Sequence, residues 1–244
     1  MSPEERDPPG VVRVRAPNPS LLTLDGTNTY VAGGWVVDPG PDHPGHLDAV
    51  MEAAGGRIEG IALTHSHFDH SEGAQPLAER AGGVEVRLPE DGEEVGPFRA
   101  MATPGHAPDH VCLLFADGIC FAGDTVLGHG SVFIAPGEGS LLAYLDSLRL
   151  LQGLSLKVLC PGHGPYVNDP AAKIEDYISH RLERERLLIE ALEAGARSED
   201  ELLDHAWSDA PVDLRPAAAL TLRAHLEKLS EEGRLPPDVE PEGA

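Results

Sequence analysis

The stretch Thr64-His65-Ser66-His67-Phe68-Asp69-His70 decides how this chain is read. It ends an apolar, strand-like run over residues 58–64 and precedes a helical pattern over 73–81. That position predicts a loop at the C-terminal edge of a strand, where side chains are exposed on a rigid support. Residues 65–70 hold three imidazoles and one carboxylate. Zinc takes neutral His nitrogen at about 2.0–2.1 Å and tolerates carboxylate oxygen, so the donor set suits it. Alternation along an extended turn sends His65 and His67 one way and Asp69 and His70 another, so one loop serves two neighbouring metals. Four such side chains crowded together without a cation would be costly to bury.

Three later segments share this build. Thr103-Pro104-Gly105-His106 closes a strand with a Pro-Gly turn, Gly123-Asp124-Thr125 follows the apolar run Ile119-Cys120-Phe121-Ala122, and Pro161-Gly162-His163-Gly164 follows Val158-Leu159-Cys160. Each candidate ligand directly follows a strand and has glycine beside it, which permits close backbone approach. A second Gly-His-Gly, around His129, competes with His163. It comes five residues after Asp124 with no strand before it, so His163 is preferred and His129 is placed on the rim.

The elements around these motifs alternate. Strands are expected over residues 11–15, 30–33, 35–38, 58–64, 84–88, 99–103, 110–115, 118–122 and 157–160, with helices over 46–54, 73–81 and 141–151. Strands before, between and after helices predict an α/β sandwich of two sheets covered by helices. From Pro170 the texture becomes helical. A charged helix over 171–194 is followed by two shorter ones over 199–207, with Ser198 as N-cap, and 216–232. The expected division is a sandwich domain over 1–169, a small winged-helix-like unit over 170–235 and a disordered Pro/acid tail over 236–244. The helices of that unit are acidic, which favours a packing or substrate-covering role over nucleic-acid binding.

Eighteen Lys and Arg against 41 Asp and Glu give a formal net charge of −23. Such a field repels phosphate backbones, although a bound metal reverses the sign locally. No apolar run approaches the roughly 18 residues needed to span a bilayer. The start, Met1-Ser2-Pro3-Glu4-Glu5-Arg6-Asp7, has neither the basic start nor the apolar stretch of a signal peptide, so the expected location is the cytoplasm. Three cysteines, Cys112, Cys120 and Cys160, form no CxxC pair and are expected as small buried hydrophobes.

His-x-His-x-Asp-His, a later Pro-Gly-His, Gly-Asp-Thr and Pro-Gly-His-Gly, in that order, resemble the metallo-β-lactamase superfamily. The segments Thr23-Leu24-Asp25-Gly26-Thr27-Asn28-Thr29-Tyr30 and Val37-Asp38-Pro39-Gly40, with His180-Arg181 and Arg184-Glu185 in the helical tail, narrow the likeness. It falls on the lactamase-beta-like protein 2 branch, itself similar to glyoxalase II hydrolases, over about residues 12 to 234. The resemblance implies an αββα sandwich with two zinc ions per chain, iron or manganese being able to replace them. It puts His65, His67 and His106 on the first metal, Asp69, His70 and His163 on the second, and Asp124 as bridge. Two dications about 3.5–4 Å apart ionise a shared water near neutral pH, and the hydroxide attacks an acyl or phosphoryl centre. Asp69 is also placed to orient that hydroxide.

Four further residues are weighed as supports of the ligands or as substrate contacts. Asp38 is expected to fix a turn beside the site. His110, four residues after His106, reads as a structural hydrogen-bonding group ahead of a proton donor. Asn28 reads as a backbone-bonding residue, and His180 stands four residues before Arg184 on one helix face. The leading function is hydrolysis of an ester, thioester or lactone, small or carrier-bound. The alternative is a phosphodiesterase or endoribonuclease on single-stranded RNA, for which Arg181, Arg184 and Arg186 offer a meagre basic groove. A nuclease carrying a large insert after the bridging Asp is excluded, because Asp124 and His163 are only 39 residues apart. A mono-iron dioxygenase on the same fold is the third class.

Overall fold

The computed structural model describes residues 6–211 and 214–240. Two five-stranded sheets carry the chain. The first is built from β1 (Val11–Arg15), β2 (Asn28–Ala32), β3 (Trp35–Val37), β4 (Gly60–Ala62) and β5 (Glu85–Arg87), in that spatial order. Its helices are α1 (Pro44–Ala53), α2 (Phe68–Ser71) and α3 (Ala74–Arg80). The second has the order β10-β9-β8-β7-β6, from β6 (Glu94–Val95), β7 (Phe98–Ala102), β8 (Val111–Phe115), β9 (Ile119–Gly123) and β10 (Val158–Pro161). Helix α4 (Leu141–Gln152) supplies the crossover that makes β9 and β10 parallel.

Period-two alternation decides which side each strand residue serves. Tyr30, Ala32, Trp35 and Val37 meet Val111, Leu113, Ile119 and Phe121 in the core between the sheets. The intervening Val31 and Val36 face Leu47, Val50, Leu77 and Ala78 of α1 and α3. Cys112, Cys120 and Ala122 face Leu141, Leu145 and Leu148 of α4. The result is the expected αββα sandwich. All three cysteines are buried and free, as expected of small core residues.

Two elements differ from expectation. Residues 68–71 form the helical turn α2, not an extended one, and Glu94–Val95 adds a short strand. The helical turn follows from the bonds Ser71 N–H to His67 O and Glu72 N–H to Phe68 O, reinforced by the Ser71 hydroxyl on Ser66 and His67 carbonyls.

Beyond β10 lie α5 (Pro170–Glu193), α6 (Glu199–Ala206) and α7 (Arg215–Glu231). Asp169 caps α5 with Pro170 at its first turn, and Ser198 with Glu201 forms a capping box on α6. Leu188, Leu192, Leu202, Leu203, Leu222 and Leu226 build a separate core for these helices. The tail departs from expectation in its described part: Val239 is buried in that core, and Asp238 pairs with Arg197 at 2.7 Å. Residues 241–244 lie outside the described residues, as do 1–5 of the opening segment. No helix among the described residues is long and apolar enough to cross a membrane.

His225 on α7 is fully buried, edge-on at 5.7 Å to Trp207, which follows the last residue of α6, and neither ring nitrogen has a hydrogen-bond partner among the described residues. Burial, then the nearby Arg181, Lys228, His180 and Arg184, push its imidazole well below the ordinary value. The unfolded chain therefore binds a proton near pH 6.5 that the folded one refuses. Stability contributed by the neutral ring is present above pH 6.5 and falls as pH drops below it, by up to about 1.4 kcal/mol per pH unit. His225→Leu is expected to flatten the decline in Tm between pH 7 and 5. An unchanged decline would count against the neutral buried ring.

Candidate metal centre

Every candidate ligand sits at one edge of the two sheets. The chain leaves β4 into His65–His70, β7 into the turn carrying His106, β9 into Asp124 and β10 into His163. Two groups of donor atoms result, each with its atoms within 4.8 Å of one another: His65, His67 and His106, and Asp69, His70 and His163. His67 Nδ1 lies 3.1 Å from His65 Nε2 and 3.0 Å from His106 Nε2. His163 Nε2 lies 3.3 Å from His70 Nε2 and 3.2 Å from Asp69 Oδ2. Asp124 stands between the groups, with Oδ1 3.5 Å from His70 Nε2. Its Oδ2 is 3.3 Å from His163 Nε2 and 3.6 Å from His106 Nε2.

The outer nitrogens fix which way the inner ones point. His70 Nδ1 donates to Asp38 Oδ2 at 2.9 Å, and His106 Nδ1 donates to the Phe133 carbonyl at 2.8 Å. The Thr64 hydroxyl donates to Asp38 Oδ2 at 2.7 Å, which leaves its oxygen to accept from His65 Nδ1 at 3.0 Å. With their protons outside, His65, His70 and His106 turn bare Nε2 lone pairs toward each other's neighbours. Asp124 Oδ1 is buried with no hydrogen-bond donor. Converging lone pairs and an orphaned carboxylate oxygen call for cations, so the donor set fits two metal ions. Gly162 belongs to this packing: a Cβ there would stand 2.4 Å from Asp124 Oδ1 and 2.5 Å from His70 Cε1.

Electrostatics agree with a site built for positive charge. Burial pushes the His65 and His67 imidazoles below their ordinary value. Burial works the same way on His163, but Asp124 and Asp69 overcome it and lift the ring to about 9. Burial would raise the Asp124 carboxyl, yet His163 and His70 outweigh it and hold it well below the carboxylate range. A third grouping, Asp38 with His65 and His70, is not a further metal position. Asp38 already accepts from Thr64 N, the Thr64 hydroxyl and His70 Nδ1.

The remaining sequence candidates take these places. Asp38 is buried in a left-handed turn, φ 49°, behind the ligands. His110 is buried, and its Nε2 accepts the Asp124 N–H at 3.1 Å. Burial lowers its imidazole to about 3, so the ring is neutral, and its one proton, on Nδ1, is donated to Thr103 Oγ1 at 3.0 Å, away from the cleft. Asn28 is also buried: its Nδ2 donates to the carbonyls of Pro161 and Gly164 at 2.9 and 2.8 Å, clamping the turn that presents His163. His129 is exposed and lines the cleft over the metal groups, outside both. His180 is exposed on α5 against Arg184 and does not line that cleft. Sequence reasoning gave no role to Thr64, which carries Asp38's hydrogen bond to His65, nor to the Phe133 carbonyl. Thr64 had a signal, its place beside His65; Phe133, far along the chain from His106, had none.

Residues 22–101 and 81–163 match the metallo-beta-lactamase superfamily, and residues 198–236 match the beta-lactamase associated winged helix domain. A beta-lactamase-like protein 2 homolog of Drosophila melanogaster is 32% identical, over 92% of this chain and 89% of its own. An atrochrysone carboxyl ACP thioesterase of Aspergillus fumigatus is 32% identical, over 84% of this chain and 76% of its own. A metallo-beta-lactamase family protein of Thermus thermophilus superposes with a TM-score of 0.71 at 26% identity, covering 92% of this chain and 94% of that one.

Proposed function

The chain belongs to the metallo-β-lactamase superfamily, on its beta-lactamase-like protein 2 branch, and from that premise we propose a dinuclear zinc hydrolase of ester and thioester bonds. His65, His67 and His106 would hold one ion, Asp69, His70 and His163 the other, and Asp124 both. The bound pair supplies Lewis acidity and lowers the pKa of water. Asp69 is open to the cleft, with its side chain 31% exposed. Burial would raise its carboxyl, but the hydrogen bond from His163 outweighs that and keeps it ionised. Its carboxylate therefore accepts a hydrogen bond from the attacking water and orients it toward the acyl carbon. The water oxygen would bond to the acyl carbon as the C–S or C–O bond breaks, one water proton would pass by way of Asp69 to the departing sulfur or oxygen, and the thiol or alcohol would leave through the mouth beside a carboxylic acid product.

The lining of the cleft carries the choice of an acyl substrate. About 600 Å3 opens over the two groups, and among the described residues lining it there is no Lys or Arg. At its mouth stand Leu21, Phe68 and Leu22, 92%, 81% and 69% exposed, the three most exposed large apolar side chains described. An apolar mouth suits a hydrocarbon chain and offers a phosphodiester backbone nothing. The basic groove weighed for RNA is not there: Arg181 is buried, Arg184 pairs with Asp209, and Arg186 pairs with Glu183 and Glu190. The thioesterase among the relatives supports a carrier-bound acyl group. We further take residues 170–235 as a packing unit, since α5 and α7 both lean on α4 and α6 packs against the two of them.

A panel of acyl thioesters of rising chain length, lactones, bis-p-nitrophenyl phosphate and single-stranded RNA tests this reading. Thioesters are expected to turn over; RNA cleavage with inert thioesters would overturn it. Phe68→Ser with Leu21→Ser is expected to raise KM for long-chain thioesters about tenfold or more while kcat holds. Burying one such side chain against substrate is worth roughly 1.5–3 kcal/mol. An acetyl thioester is expected to be indifferent to the change, and equal effects on both substrates would remove the rim from the binding site.

A further inference from the structure

The wall of the cleft between β9 and α4 runs through residues 129–134 without helix or strand. Its backbone is held by side chains instead. The Tyr177 hydroxyl donates to Gly130 O at 2.9 Å, and Arg181 donates to Ser131 Oγ at 3.0 Å and to Val132 O. The next carbonyl, Phe133 O, accepts from His106 Nδ1 at 2.8 Å. Both Tyr177 and Arg181 stand on α5, one helical turn apart, beyond the sandwich itself.

Arg181 is 2% exposed, and no carboxylate among the described residues pairs with it. Its nearest aromatic face is Tyr144, 5.7 Å away. Burying a charged guanidinium against one hydroxyl and one carbonyl dipole is costly, and an apolar side chain would fill the same space with a smaller penalty. What the guanidinium does that Leu or Met would not is to hold an irregular segment by two adjacent residues, its Nη2 donating both to the Ser131 hydroxyl oxygen and to the Val132 carbonyl. The next residue, Phe133, carries the carbonyl that fixes the tautomer and aim of His106. A His106 that changed tautomer would present Nε2–H to the ion, and one whose ring flipped would present a C–H, in place of a lone pair.

We infer that Arg181 is a positioning residue for the metal centre: from the C-terminal helical unit it fixes the Phe133 carbonyl and through it the ring of His106. This rests on the reading of His106 as a ligand. It makes α5 part of the hydrolytic site and not an appendage to it.

The test uses Arg181→Met and Arg181→Lys in the full zinc-loaded chain. Zinc retention is measured against a chromophoric chelator, with circular dichroism to establish folding. The imidazole N–H proton of His106 is followed by NMR; it exchanges slowly while Phe133 O accepts it. R181M is expected to lose about 10- to 100-fold in affinity for one of the two ions, the range for removing a support behind a ligand. The other ion should be held within about twofold, and the His106 N–H signal should broaden or exchange faster. R181K, which keeps one donor, is expected to fall between. A folded R181M with both ions at wild-type affinity and an unchanged His106 signal overturns the inference, as does failure of both variants to fold. His106→Ala separates the two levels: if it too leaves both ions in place, the ligand reading itself falls.

Discussion

Asp124→Ala is expected to lower hydrolysis by about three orders of magnitude, the scale reached when a group that stabilises reacting charge is deleted. It should also take metal content below two ions per chain. The reason is geometric. Asp124 Oδ2 alone faces His106 of one donor group and His163 of the other, while Oδ1 faces His70. Without the carboxylate, three imidazoles lose the one anion they share, and two dications would face each other across a buried gap with no charge between them. Asp124→Asn tests the charge at constant shape and is expected to lose metal nearly as completely. Metal analysis by mass spectrometry with a thioester assay reads both. Two ions and wild-type turnover in the alanine variant would end the dinuclear reading.

Asp38→Ala is expected to strike stability and metal binding together. The carboxylate never reaches the cleft, yet it accepts from the Thr64 N–H, the Thr64 hydroxyl and His70 Nδ1, all buried. Each buried donor left without a partner costs about 1–3 kcal/mol. A net loss of about 3 kcal/mol corresponds to a fall in Tm of about 10 °C for a chain of this size. Freed from its acceptor, His70 loses its fixed tautomer, and metal affinity is expected to drop about 10- to 100-fold. Asn at position 38 tolerates the left-handed turn and still accepts from Thr64, so Asp38→Asn should recover much of the Tm but not the metal affinity. Calorimetry and a chelator titration of the two variants separate the effects; an alanine variant matching wild type in both would show the network to be dispensable.

Much of this is written locally in the chain. Alternation in Tyr30–Val31–Ala32 and in Ile119–Cys120–Phe121 declares which residues face between the sheets and which face helices, because strand side chains alternate whatever the strand's neighbours are. Ser198 with Glu201 announces a helix start, because a capping box closes within four residues. The seven candidate ligands are legible for a similar reason: each is pinned to the end of a strand by an adjacent glycine or a short turn. The turn at 68–71 reads as extended in the sequence, because a four-residue helix leaves too short a pattern to reveal its period.

What the sequence determined by itself, then, was the layering of two sheets between helices and a set of candidate donor side chains, properties set by periodicity and by neighbours a few residues away. Only the tertiary structure decided how those donors are aimed. Asn28 grips a turn more than 130 residues distant, and Asp38, at the end of β3, reaches Thr64 and His70 beyond the end of the neighbouring β4. Arg181 reaches from α5 to the wall beside His106. It also decided that the mouth is apolar, by gathering Leu21, Leu22 and Phe68 from two separate segments. Hydrogen bonds and cleft walls depend on distance in space, and residues far apart in the chain leave no period or spacing by which their meeting can be read.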